Sequence, residues 1–79
     1  MNVAKIEDDI IDMINYLVFI YCKIRNCRVG EAFWDAYETY QKQKKRYEDA
    51  WELMEIDELL AGVRLKAGRI NAIWQRFNS

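Results

Sequence analysis

The carboxylates offer the first candidate chemistry. Asp35 and Glu38, and again Glu52 and Glu55, stand three residues apart, which puts each pair on one side of a helix. Paired carboxylates are hard oxygen ligands, suited to holding magnesium against a phosphate. The same spacing arises in any charged helix, and nothing in the chain brings the two pairs to one site. Histidine is absent. That excludes imidazole acid–base chemistry and the familiar zinc ligand sets, so no metal or other cofactor is expected.

The basic residues offer a second chemistry. Beyond Glu58 no acid remains, while Arg64, Lys66, Arg69 and Arg76 contribute positive charge. A corner at Ala67–Gly68 would divide this stretch into a helix-turn-helix-like pair, with Arg69, Asn71, Gln75 and Arg76 facing phosphates and base edges. Against that corner, the apolar row runs through Gly68 without losing register, which favours one continuous helix with a solvated basic face. Lys42, Lys44, Lys45 and Arg46 form another basic cluster, flanked by Tyr40 and Tyr47. Basic residues among aromatics bind single strands, but these tyrosines belong to an apolar seam and core packing explains them better. The net charge of −1 implies no dominant attraction to nucleic acid.

These residues must be carried by helices. The chain has no proline and three glycines in 79 residues, a composition of long helices and short connections within one domain, 1–79. At 52% hydrophobic and 32% charged it is globular rather than disordered.

Helix one is expected over about residues 3–29, with Gly30 as the left-handed residue that ends it and a tight turn leading into an antiparallel hairpin. Glu7, Asp8, Asp9 and Asp12 near its start and Lys23, Arg25 and Arg28 near its end complement the helix dipole. Its centre, Ile10 to Ile24, is apolar on nearly every side. At 100° per residue, Val3, Ile6, Ile10, Met13, Ile14, Leu17, Tyr21, Ile24 and Cys27 gather in one row. Ile11, Val18, Cys22 and Val29 gather in another, with Asn15 among them. A small domain has little core to spare for two such rows, so one is expected in a subunit interface. Ile11, Asn15, Val18 and Cys22 are the expected self-association row, with Asn15 setting register.

Helix two is expected from Glu31 to Met54, with the aromatic seam Phe33, Tyr37, Tyr40, Lys44, Tyr47, Trp51 and Met54, and outer pairs Glu38–Lys42 and Lys45–Asp49. From Leu53 the apolar positions change register to Ile56, Leu60, Val63, Ala67, Ile70, Trp74 and Phe77. A break follows, with Asp57 as N-cap and helix three over 57–77, although a kinked helix from 31 to 78 fits the same pattern. Ala61, Leu65, Gly68 and Ala72 make a small-residue face suited to close self-association. Trp34 projects to the outside of helix two as a partner-binding anchor, alongside Lys42, Lys45, Arg46, Arg64, Arg69 and Arg76, or else folds over the Gly30 corner.

On one helix Cys22 and Cys27 would point about 140° apart, so two free thiols and a reducing compartment are expected. The apolar run is too short, and too broken by Asp12, Asn15 and Lys23, to cross a bilayer. Acids stand where a signal peptide would carry positive charge, so a cytoplasmic protein is expected. The reading is therefore all-α: a three-helix domain, with hairpin 3–54 and third helix 57–77, assembling as a homodimer. Its function is expected to be non-enzymatic, a regulator or inhibitor that binds and blocks or bridges a larger protein. The alternatives are a DNA-binding regulator using residues 57–78, and a magnesium-dependent helical nucleotide pyrophosphatase using Asp35, Glu38, Glu52 and Glu55.

Overall fold

The computed structural model describes residues 1–48 and 50–78, with backbone alone for 46–48. It is all-helical, with three α-helices and no strand among the described residues: α1 Val3–Arg25, α2 Val29–Glu48 and α3 Ile56–Phe77, with one 3-10 turn at Trp51–Leu53. The chain forms two compact units, Met1–Gln43 and Lys44–Ser79.

In the first unit α1 opens on Asn2, whose side-chain carbonyl accepts the Lys5 amide at 3.0 Å. The first turn of α1 contains no acid. Glu7, Asp8, Asp9 and Asp12 lie beyond it, where the dipole field has largely faded, so the dipole is not what their placement serves. The last turn does carry Lys23 and Arg25.

The helix ends four residues earlier than its apolar pattern suggests, and glycine is not the reason. Asn26 takes the left-handed conformation at φ 53°, and the Cys27 amide donates to the Cys22 carbonyl at 3.1 Å. This is the bond that closes a helix C-terminus around a left-handed residue, a conformation asparagine tolerates nearly as well as glycine. Gly30 instead lies within α2, with no positive φ. Val29 starts α2 and Cys27 sits in the turn, so neither extends a row of α1.

Residues 26–28 fold the chain back on itself. Tyr21, six residues before the turn's centre, donates from its phenol to Asp35 Oδ2, eight residues after it, at 2.8 Å. Val18 of α1, 9% exposed, and Ala32 of α2, 5% exposed, are the buried apolar residues. Asn15, Cys22, Cys27 and Asp35 are half-buried. Two small side chains contribute only about 1–2 kcal/mol each, little against the entropy of ordering two long helices.

In the second unit the expected break occurs, but its cap is Glu55 rather than Asp57. The Glu55 carboxylate accepts from the Glu58 backbone while the Glu58 carboxylate accepts from the Glu55 amide at 3.4 Å, a reciprocal capping box. Asp57 falls in the first turn, where its charge suits the dipole. Trp51 and Leu53 belong to the 3-10 turn and Met54 caps it, so helix two stops short of them. From Ile56 to Phe77 α3 is unbroken. It passes through Gly68 as helix, so the chain has no helix-turn-helix corner there.

Candidate interaction surfaces

The covered side of α1 is the side of Asn15, Val18 and Cys22, the row expected to be free for self-association. Val18 is buried within the chain itself and so presents no surface to a second molecule; Ile11, at the outer end of the row, stays exposed. The physical reason is the turn. Asn26 fixes the direction in which α2 leaves α1, and the Tyr21–Asp35 bond holds it there. The broader row, with Ile6, Ile10, Met13, Ile14, Leu17 and Ile24, remains exposed.

Three of the four candidate metal carboxylates, Asp35, Glu38 and Glu55, have local partners. Asp35 accepts the Tyr21 phenol, and this bond, with lesser burial and charge effects, raises the Tyr21 pKa above its ordinary value of 10.0. Glu38 lies 3.9 Å from Lys42 across one turn of α2, both side chains solvated, a pairing worth little. Glu55 is occupied as a helix cap, and Glu52 stands in the 3-10 turn. Among the described residues no three of His, Cys, Asp and Glu group closely enough to hold a metal ion.

Trp34 is 62% exposed, so it does not fold over the corner, and its ring lies 6.0 Å from that of Tyr37, tilted by 38°. Phe33, Tyr37 and Tyr40 of the expected seam are exposed too. Lys42 and Lys45 are solvated. The side chains of Arg46 and Tyr47, and the whole of Asp49, lie outside the described residues. On α3, Arg64, Lys66, Arg69 and Arg76 are exposed. Its apolar row from Ile56 to Phe77 is exposed as well, and Trp74 stacks on Phe77 with ring centres 6.3 Å apart. Ala61, Leu65, Gly68 and Ala72 lie open; a methyl group added at Gly62 or Gly68 would meet nothing within 4 Å.

Cys22 and Cys27 are free thiols. Because Cys27 lies past the helix end, its thiol turns back towards Cys22 rather than away. Burial, followed by a hydrogen bond with the Cys22 side chain, raises the Cys27 pKa above the usual thiol range. Sequence reasoning missed this proximity, and the signal was present: an asparagine four residues after Cys22 is a candidate helix terminator.

Among the described residues no helix is long and apolar enough to cross a membrane. No protein-family model, curated protein or solved structure matches the chain.

Proposed function

We propose that this chain is a non-enzymatic protein-interaction module, a cytoplasmic regulator or inhibitor that acts as a homodimer on a larger protein. One observation carries the reading: every described residue of α3 is exposed, its apolar row and the stacked Trp74 and Phe77 included. A helix earns stability in water mainly from packing an apolar face, and large exposed apolar patches mark docking sites. Aromatic residues and arginine are enriched at binding hot spots, and α3 carries Trp74, Phe77 and Arg69. The free thiols support a reducing compartment.

The test is affinity capture with the intact chain and with Trp74→Glu, identification of the captured protein, and calorimetry with both components purified. Saturable binding that Trp74→Glu weakens at least about a hundredfold, the loss of one hot spot, supports the reading. Equal binding by both chains, or no saturable binding, overturns it.

A further inference from the structure

We infer that the exposed seam of α1 pairs antiparallel with the same seam of a second copy, about a two-fold axis level with residue 15. This rests on the reading of the chain as an interaction module and names the occupant of one of its faces. Ile6, Ile10, Met13, Leu17, Ile20 and Ile24 follow one another at spacings of four, three, four, three and four, all 42–64% exposed. That is the a/d pattern of a two-helix seam. Its centre lies about 150° around α1 from the covered side at Asn15, Val18 and Cys22, so pairing there leaves the hairpin undisturbed.

Two features say what covers this seam. The first is its own symmetry. Set antiparallel about residue 15, Ile6 meets Ile24, Ile10 meets Ile20 and Met13 meets Leu17, then the same layers repeat in reverse. Partners match in size at every layer, as a self-complementary two-fold interface requires. The second is charge. The half of α1 nearer its start holds Glu7, Asp8, Asp9 and Asp12, and the far end holds Lys23 and Arg25. Antiparallel pairing brings Asp9, which flanks the seam, beside Lys23 of the second copy, and does so twice. Parallel pairing would stack the two acidic clusters against each other, which is repulsive. Asp9 also holds Lys5 at 2.9 Å within its own helix; that pair is solvated, and a carboxylate accepts from two cations at once. The acids that do little for the helix dipole thus acquire a role in fixing orientation.

The experiment is the solution mass of the reduced, full-length chain across a concentration series, by light scattering and sedimentation. Wild type is compared with Leu17→Glu, Asp9→Lys, Lys23→Glu and the double variant carrying both charge changes. The expected result is a species of twice 9.5 kDa that Leu17→Glu dissociates. Each single charge change weakens the dimer about three- to tenfold. The double variant, and an equimolar mixture of the two singles, recover to within about twofold of wild type. The charge variants lie on solvated positions, so circular dichroism separates a lost interface from a lost fold. A monomer at every concentration overturns the inference, as does a dimer that Leu17→Glu leaves intact or one whose double charge variant fails to recover. Partner capture runs in parallel. Capture lost with Trp74→Glu in a chain that never dimerises sinks the seam and leaves the interaction module standing. A dimer with these properties but no saturable partner sinks the module and leaves the seam. Capture lost with Leu17→Glu in a monomeric chain assigns the seam to a foreign protein and also overturns the pairing.

Discussion

The Tyr21 phenol donates to Asp35 Oδ2 at 2.8 Å, bridging α1 and α2 across the turn that joins them. It ties the two helices side chain to side chain and holds the course that the Asn26 turn sets for α2. Tyr21→Phe and Asp35→Ala are each expected to lower the urea midpoint, and the double variant to fall no further than the worse single one, since both remove one interaction. The pH dependence follows from the raised Tyr21 pKa. A group whose folded pKa exceeds its unfolded value contributes stability that is complete below the unfolded value, near 10.0, and disappears as pH rises through the folded one. The wild-type advantage over Tyr21→Phe should therefore hold at neutral pH and vanish in alkali. The difference in tyrosinate absorbance between these two chains gives the Tyr21 titration directly.

Asn26, at φ 53°, is the left-handed residue on which the hairpin turns. Asn26→Gly should leave stability unchanged or slightly raised, because glycine enters this conformation without strain. Asn26→Val should cost about 1–2 kcal/mol, read as a shift in the denaturation midpoint. A valine variant as stable as wild type would mean that the turn is not held in this conformation.

Gly62 and Gly68 lie within α3 and a Cβ at either meets nothing within 4 Å. Gly68→Ala should stabilise α3 by up to about 1 kcal/mol through helix propensity alone, seen as increased helicity and a higher melting temperature. The dimer constant should not change if α1 carries the pairing. A weakened dimer would instead assign self-association to the small-residue face of Ala61, Leu65, Gly68 and Ala72.

Cys27 keeps its proton above the ordinary thiol range because burial and the Cys22 side chain both favour the neutral form. Alkylation near pH 8 should be slower at Cys27 than at an unstructured cysteine. Cys22→Ser should change its rate, since the neighbouring group differs, whereas Cys22→Ala should speed it by removing the hydrogen-bond partner. Peptide mapping after timed iodoacetamide quenching measures each site separately.

The proposed function also sets expectations for the rival chemistries. Duplex DNA should show no saturable binding at about 0.15 M salt, and Arg69→Ala or Arg76→Ala should have no effect on it. Nucleoside triphosphates with magnesium should show no turnover that Glu38→Gln abolishes. Steeply salt-dependent binding lost in the arginine variants would establish a nucleic-acid interface on α3.

By itself the sequence determined that the chain is all-helical, and it favoured a break before α3 over a kinked helix 31–78 and the continuity of α3 through Gly68 over a corner there. Each follows from local causes: a change of apolar register at Leu53, acids suited to a helix start, and a pattern that glycine does not disturb. Caps were less legible. Asn26 and Gly30 both tolerate a left-handed backbone, and Glu55 and Asp57 both accept amide hydrogens, so the choice fell to which position closed its local bonds best. The sides of α1 were not legible at all. Periodicity reveals two apolar rows, and both look the same whether they meet α2, a second copy or another protein. Only the fold decided between them. The left-handed turn at Asn26 sets the direction of α2, which covers Val18 and leaves Ile10, Met13 and Leu17 in water. Burial is a property of two surfaces brought together, and a single helix's sequence specifies only one of them.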